Sequence, residues 1–156
     1  MRIIAGKLKG FTLHMTKDKN TRPLKDIARE SIFNLLTHSN KISLKLEQSN
    51  ILDLYAGTGS FGLECISRQG KCVYFVENKK SAFQILEKNI KKLKIKKKTK
   101  LFFNDVFNFI EKRNISISKF DLSLASKIVY LSPIIEINKF PKSPSPGSFR
   151  KSPYFL

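Results

Sequence analysis

Three glycines near the middle of the sequence form the pattern G-x-G-x-x-G: Gly57, Gly59 and Gly62. Glycines at this spacing let the backbone turn tightly between a strand and a helix and approach a ligand closely. Glu77 ends the next apolar stretch, 20 residues after Gly57, where an acidic side chain can bind ribose hydroxyls. The pattern therefore predicts a site for a ligand that contains a nucleoside.

Asp53 discriminates between two classes of such ligand. It lies four residues before Gly57, at the end of the preceding strand. A carboxylate there repels the pyrophosphate of a nicotinamide dinucleotide, which must approach the helix N-terminus. S-adenosylmethionine has no phosphate, and its positive sulfonium and α-amino groups suit an acidic neighbour. A nicotinamide-dependent oxidoreductase is the weaker alternative, because the sequence has no plausible histidine for a hydride-transfer site. Both histidines, His14 and His38, precede the glycine turn.

A third acidic position follows the third predicted strand. Asn104 and Asp105 lie there, where adenine recognition occurs in folds of this kind. Because Asp53, Glu77 and Asp105 end successive strands, and ligands bind at the carboxyl ends of parallel strands, we expect them to share one site. The predicted cofactor-binding residues are Asp53, Tyr55, Ala56, Gly57, Thr58, Gly59, Glu77, Asn78, Asn104 and Asp105.

The elements that position these residues alternate between strand and helix. The predicted strands cover 51–55, 72–77, 100–104 and 120–125. The predicted helices cover 60–69, 80–93 and 105–112. This alternation is typical of an α/β domain in which helices cover both faces of a parallel sheet.

Two further elements precede the first strand. The stretch "RIIAGKLKGFTLHM" alternates apolar and polar residues around two glycines, which predicts a short hairpin or extended pair. Pro23 is placed to begin an amphipathic helix. The predicted apolar face of that helix holds Ile27, Ile32 or Phe33, Leu35 and Leu36.

Composition limits the classes of protein. Lys and Arg number 30 against 12 Asp and Glu, which gives a formal net charge of +18 and indicates an anionic partner, with nucleic acid first. The lysine-rich run at 91–100 is interpreted as a solvated connection. No stretch approaches the roughly 20 continuous apolar residues of a membrane span, and no secretory signal is recognisable, so we expect a cytoplasmic protein. Two cysteines without a histidine cluster predict neither a disulfide framework nor a metal site.

In this order, the motifs resemble the RsmD-like 16S ribosomal RNA (guanine-N2)-methyltransferases of bacteria. The resemblance rests on "RIIAGKLKG", "TRPLKDIARESIFNLL", "ILDLYAGTGSFGLECISRQG", "VYFVENKKSAFQILEKNI" and "NDVFNFI", within residues 2–122. It implies a Rossmann-like methyltransferase sheet preceded by a small hairpin and helix. It also implies methyl transfer from S-adenosylmethionine to the exocyclic N2 of a guanine in 16S rRNA. The implied partner is that rRNA or the assembling small subunit, and the expected enzyme is a monomer.

The resemblance also implies contacts with RNA. The segment that holds Arg22, Pro23, Arg29, Glu30, Phe33 and Asn34 matches the N-terminal motif of the family, which lies close to the cofactor and the RNA. The expected RNA-binding residues are Arg22, Arg29, Lys7 and Lys9. Helical spacing leaves Phe33 open between this role and a simple core contact.

The resemblance ends near Leu122. Family members continue after "FDL" with Asp-Pro-Pro and an aromatic residue, whereas this chain reads "FDLSLASKIVYLSPIIEINKF". That motif supplies hydrogen-bond acceptors for the guanine amine and a ring that stacks on the extruded base. Neither Asp-Pro-Pro nor Asn-Pro-Pro occurs in the sequence, so the catalytic residues are unknown and we expect the chain as written to be inactive. The alternative is a non-catalytic RNA-binding remnant of the same fold.

The C-terminal segment has a different composition from the rest. Residues 138–156 lack Asp and Glu and combine Pro, Ser and Lys without a helix or strand period, which is typical of disorder. We expect a methyltransferase domain over 1–126, including the hairpin and first helix, and a divergent, poorly ordered basic tail over 127–156. A frameshift or truncation that replaced further strands is the preferred explanation, because four parallel strands leave apolar surface uncovered. True divergence and a basic arm for RNA are the alternatives.

Overall fold

The computed structural model describes residues 1–17, 26–38, 45–112 and 120–125 of the 156-residue chain. Its elements alternate after the first helix, as the sequence predicts. They are α1 (Asp26–His38), β1 (Asn50–Leu54), α2 (Ser60–Ser67), β2 (Cys72–Glu77), α3 (Lys80–Lys92), a 3-10 turn (Lys96–Lys98), β3 (Thr99–Phe103), α4 (Val106–Lys112) and β4 (Leu122–Ala125).

The described strands form one parallel sheet in the order β3-β2-β1-β4. The chain moves outward from β1 to β2 and β3, and then returns across the sheet to place β4 on the other side of β1. The carboxyl ends of β1 and β4 therefore meet where the winding direction reverses. Open α/β sheets bind ligands at such a point.

Helices cover both faces of the sheet. Ile51, Val73 and Phe75 pack with α1, α2 and α3 in the larger buried cluster. The alternate strand residues Leu52 and Val76 pack with α4 in a smaller cluster. Successive side chains of a strand point to opposite faces, so this division follows from the period of the strands. The predicted α/β architecture, a parallel sheet with helices on both faces, is confirmed.

The N-terminal residues form the predicted hairpin. Arg2 pairs with Thr12 in an antiparallel bridge, and the Ile3 N–H donates to the Phe11 carbonyl at 3.0 Å. The hairpin docks on α2 through backbone groups, because the N–H of Lys7 donates to the Ser67 carbonyl at 2.8 Å. The hairpin is thus part of the same packed unit as the sheet.

Helix α1 packs part of its predicted apolar face on the core, through Phe33 and the partly buried Ile32 and Leu36. Ile27 is 78% exposed and Leu35 is 55% exposed, whereas Phe33 is buried and stacks on Phe61 at 4.9 Å between ring centroids. Residues two apart on a helix lie about 200° apart around its axis. The buried positions 29 and 33 therefore leave 27 and 35 outside, and the core-contact alternative for Phe33 is confirmed.

Some predictions concern residues outside the described ranges. Pro23 as the start of α1 is one of them, and the tail over 127–156 is another. Within the described ranges, no helix is long and apolar enough to cross a membrane.

Candidate cofactor site

Glu77 lies at the centre of the candidate site, at the carboxyl end of β2. One carboxylate oxygen, Oε2, accepts the N–H of Gly57 at 2.7 Å. The other, Oε1, accepts the N–H of Asn78 at 3.0 Å and that of Lys79 at 2.8 Å. The side chain is therefore held in one position, and it joins the glycine turn after β1 to the loop after β2.

The glycine turn itself is open on one side and closed on the other. Gly57 has a φ of +59°, and a Cβ added there would meet no described atom within 4 Å. Gly59 has a φ of +84°, and a Cβ there would lie 2.3 Å from Cδ1 of Leu86. Gly59 is thus required for packing of the turn against α3, whereas Gly57 leaves room where a ligand can approach the backbone.

Asp53 is placed differently from the sequence-based expectation of an acid beside the ligand. It is the fourth residue of β1, it is 0% exposed, and its Oδ2 accepts the N–H of Gly62 at 3.0 Å. The strand points this side chain toward α2, on the face of the larger cluster. Its charge lies beneath the turn, and the carboxylate anchors the first turn of α2 to the sheet.

Tyr55, Asn104 and Asp105 complete the predicted set on neighbouring strand ends. Burial raises the pKa of the Tyr55 hydroxyl, and the charges of Asp105 and Glu77 raise it further, so both carboxylates lie near that ring. Asp105 also accepts the N–H groups of Phe107 at 2.9 Å and Asn108 at 3.3 Å, which caps α4. The Asn104 N–H donates to the Glu77 carbonyl at 3.2 Å. The structure therefore brings together the ends of β1, β2 and β3.

The remaining predicted cofactor residues frame the turn. Ala56 is 4% exposed and Thr58 is 4% exposed, so both contribute backbone to the turn. Asn78 is exposed at the start of the loop after β2. These positions are consistent with a ligand site that is lined by backbone groups of the turn and whose charged side chains, Glu77 and Asp105, are acidic.

Asn89 is a site residue that the sequence reasoning missed. It is 0% exposed on α3, and its amide nitrogen donates to the carbonyls of Thr58 at 3.0 Å and His14 at 3.1 Å. Its amide oxygen accepts the His14 N–H at 2.7 Å. One side chain thus ties the glycine turn to the N-terminal segment. A polar residue within the apolar stripe of Leu86 and Ile90 was the available signal.

Glu64 is a second buried polar residue that the sequence reasoning missed. It is 0% exposed on α2, and it accepts the N–H groups of Ile4 at 2.8 Å and Ala5 at 2.9 Å. It also forms an ion pair with Arg68 at 3.1 Å. The available signal was a carboxylate on a largely apolar helix. Because an unpaired buried charge is costly, such a carboxylate must have hydrogen-bond or ion-pair partners.

The structure separates the four predicted RNA-binding residues. Lys7 and Lys9 are exposed on the hairpin, as a phosphate contact requires. Arg29 is 0% exposed, donates to the Arg2 carbonyl and pairs with Asp26 at 2.9 Å. This burial contradicts a direct RNA contact and gives Arg29 a structural role between α1 and the hairpin. Arg22 lies outside the described residues.

A model of the protein family described as conserved hypothetical protein 95 matches residues 1–133. The chain belongs to this family. The match includes the hairpin, the glycine turn and all four described strands, so it covers every element of the candidate site. The resemblance to the RsmD-like enzymes is confirmed.

Curated relatives of this chain carry methyltransferase names. The chain is 39% identical over 94 residues to "Ribosomal RNA small subunit methyltransferase D" of Haemophilus influenzae, covering 60% of this chain and 46% of the relative. It is 35% identical over 105 residues to "Putative rRNA methyltransferase YlbH" of Bacillus subtilis, covering 67% and 54%. The chain spans about half the length of the curated relatives it matches.

Solved structures show the same architecture. The structure titled "Putative methyltransferase yhhF from Escherichia coli" is 27% identical and superposes with a TM-score of 0.61. The superposition covers 71% of this chain and 56% of that one.

Within the described residues, no group of three or more His, Cys, Asp and Glu side chains could hold a metal ion.

Proposed function

We propose that the site at the carboxyl ends of the strands binds S-adenosylmethionine, and that the chain is a methyltransferase of small-subunit ribosomal RNA by family. The observation that carries this proposal is the bond between Glu77 and the Gly57 N–H. It joins an acidic side chain suited to a ribose to the part of the turn that is open to a ligand.

The residues present fit this cofactor. A carboxylate has about four acceptor positions, and the Glu77 carboxylate uses three for backbone N–H groups, which leaves about one, on Oε2, for a ribose hydroxyl. Asn104 and Asp105 would hold the adenine, and the backbone of Tyr55 through Gly59 would line the turn. When bound, the cofactor supplies an electrophilic methyl group on a sulfonium. This chain's residues hold and orient it.

Charge supports this cofactor over a dinucleotide. The charges of Glu77 and Asp105 both raise the pKa of Tyr55, and Asp53 lies buried beneath the turn. Three carboxylates around one turn oppose the approach of a pyrophosphate, whereas they stabilise a positively charged ligand. The nicotinamide-dependent oxidoreductase is disfavoured by the same arrangement.

The proposed substrate is the exocyclic N2 of a guanine in 16S rRNA of the small ribosomal subunit. The names of the relatives support rRNA, and the net charge of +18 supports a polyanion. Exposed Lys7 and Lys9 place positive charge on the hairpin, which is joined through His14 and Asn89 to the glycine turn. We propose the cytoplasm as its location and a monomer as its working state.

We further propose that the chain as written binds the cofactor but transfers no methyl group. The guanine amine is a poor nucleophile because its lone pair is delocalised into the ring, so acceptors must localise that pair. The family provides them directly after the strand that corresponds to β4, and this chain has no Asp-Pro-Pro or Asn-Pro-Pro there. Removal of one such electrostatic group typically costs about 10² to 10³ in rate.

The test combines binding with turnover. Titration calorimetry with S-adenosylhomocysteine should show binding, and incubation with tritiated S-adenosylmethionine and small subunits from a strain that lacks this modification should show no incorporation. A matched chain with Asp-Pro-Pro-Phe introduced shortly after β4 should restore incorporation. Stabilisation against heat by nicotinamide nucleotides, with none by S-adenosylhomocysteine, would reverse the assignment of the cofactor.

Turnover and RNA affinity decide between enzyme and remnant. Incorporation by the unaltered chain would contradict the proposed inactivity and support the enzyme. If the restored chain also fails while both chains bind rRNA with a steep salt dependence, the non-catalytic RNA-binding function is correct. Binding that does not change with salt would contradict RNA as the partner, because each phosphate contact releases counterions.

A further inference from the structure

The lysine-rich run interpreted above as a solvated connection contributes five lysines to a surface that also includes one lysine from outside the run. All seven of its lysines are exposed, while Leu93 and Thr99 between them are buried. The chain passes here from the end of α3 through the 3-10 turn into β3. Lys71, which precedes β2, is exposed beside it. The amino-end lysine surface comprises Lys71, Lys94, Lys96, Lys97, Lys98 and Lys100.

Two observations place Lys71 and Lys100 in one group. Val73 pairs with Thr99 and Tyr74 with Lys100 in the sheet, so the starts of β2 and β3 lie side by side. Adjacent strands are about 4.8 Å apart. Burial raises the pKa of the Cys72 thiol, and the charges of Lys100 and Lys71 partly offset this, so both ammonium groups lie near that sulfur.

Among the described residues, none of these six lysines forms an ion pair with an acidic side chain. The acids Asp26 and Glu64 pair with arginines instead: Arg2 and Arg29 with Asp26, and Arg68 with Glu64. At the same end of the sheet, Asp121 accepts the Asn50 N–H at 2.7 Å, and Glu47 accepts the Gln69 amide at 3.1 Å. Those acids lie by β1 and β4, away from the β3 side. Crowded like charges repel one another, and a polyanion relieves that repulsion.

The surface lies at the opposite end of the sheet from the cofactor site. Strand β2 runs from Cys72 at the lysine end to Glu77 at the site. At about 3.3 Å per residue its length is about 17 Å. That exceeds the Debye length of about 8 Å at physiological ionic strength, so the lysines barely affect a ligand at Glu77.

We propose that the amino-end lysine surface is a second RNA-docking site, which binds the phosphate backbone of small-subunit rRNA away from the methylation site. The proposal rests on the proposed function, since it takes rRNA as the partner. It assigns a different task to each end of the sheet. The carboxyl end holds the cofactor and the target base, and the amino end holds a remote backbone segment of the same RNA.

The experiment compares two variants of equal charge. Lys96, Lys97 and Lys98 are exposed in the 3-10 turn, and K96Q/K97Q/K98Q removes three charges from the surface. The control K17Q/K80Q/K88Q removes three charges from exposed lysines away from this surface. Filter binding of full-length small-subunit rRNA is measured from low to moderate salt, and S-adenosylhomocysteine affinity is measured by calorimetry in the same proteins.

The surface variant should lose more than about tenfold in rRNA affinity, and its log-log salt slope should fall by about 2 to 3 units, because each lost phosphate contact contributes about 0.7 to 0.9. The control should lose much less, and S-adenosylhomocysteine affinity should stay unchanged in both. Equal losses in the two variants would overturn the second site. They would show that the lysine-rich run attracts RNA only through the net positive charge of the protein. Failure of the unaltered chain to bind rRNA, or to bind S-adenosylhomocysteine, would instead contradict the proposed function.

Discussion

The Glu77 carboxylate accepts the N–H of Gly57 at 2.7 Å, across 20 residues of sequence, and so links the ends of β1 and β2. Because the same carboxylate is proposed to bind a ribose hydroxyl, Glu77→Gln should weaken S-adenosylhomocysteine binding by about 1 to 3 kcal/mol, the range for a lost charged hydrogen bond. Calorimetry measures this. Glu87→Gln, which removes an exposed carboxylate from α3, is the matched control. Equal affinity in both variants would remove Glu77 from the site.

Gly57 and Gly10 allow backbone strain to be separated from ligand contact. Both have a positive φ, +59° and +86°, and at both an added Cβ would meet no described atom within 4 Å. Gly57→Ala and Gly10→Ala should therefore each lower the free energy of unfolding by about 1 kcal/mol. Only Gly57→Ala should weaken S-adenosylhomocysteine binding, by tenfold or more, since its methyl group fills the open side of the turn. Similar binding in the two variants would show that the ligand does not approach Gly57.

Asn89 should contribute strongly to stability. Asn89→Ala leaves the His14 N–H and the carbonyls of His14 and Thr58 without their partner. Each unsatisfied buried group costs about 1 to 3 kcal/mol, so we expect a loss of about 2 to 5 kcal/mol in urea unfolding. Asn89→Asp keeps the acceptor for His14 but loses both donors. A loss below about 1 kcal/mol in Asn89→Ala would show that water replaces these bonds.

The buried thiol of Cys65 should make stability depend on alkaline pH. Burial raises its pKa well above the usual value, and the charges of Asp53 and Glu64 add to this. The folded state therefore keeps a proton that the unfolded thiol releases above about pH 8.5. The stabilisation is complete below that pH and falls as pH rises, by about 1.4 kcal/mol per pH unit.

The measurement is urea unfolding at pH 7.5 and pH 10. Cys65→Ala should show a shallower decline than the unaltered chain, whereas Cys72→Ala, which removes a half-buried thiol, should keep most of it. Comparison with both variants separates the thiol from lysines that titrate in the same range. An identical decline in Cys65→Ala would show that this thiol does not carry the effect.

The sequence by itself determined the sheet, and it predicted the place of the candidate site. Short apolar runs alternate with segments of helical periodicity, and they predicted the strands to within one or two residues. The prediction succeeds because most apolar residues of β1 to β3 are wholly or partly buried in the fold. Glycine spacing and the acid at Glu77 predicted a nucleoside site, because parallel strands bring their carboxyl ends together whatever packs beneath them. The family followed from the same motifs.

Only the tertiary structure decided which polar residues face a ligand and which face the interior. Asp53 and Arg29 read as site residues in the sequence, yet both are fully buried, bonded to Gly62 and to Asp26 respectively. Asn89 belongs to none of the motifs in the sequence, yet it joins the glycine turn to the N-terminal segment. Periodicity tells which residues share a face of an element, but what covers that face depends on contacts between residues 20 to 75 positions apart. Such contacts exist only once the hairpin, α1 and α3 have packed on the sheet.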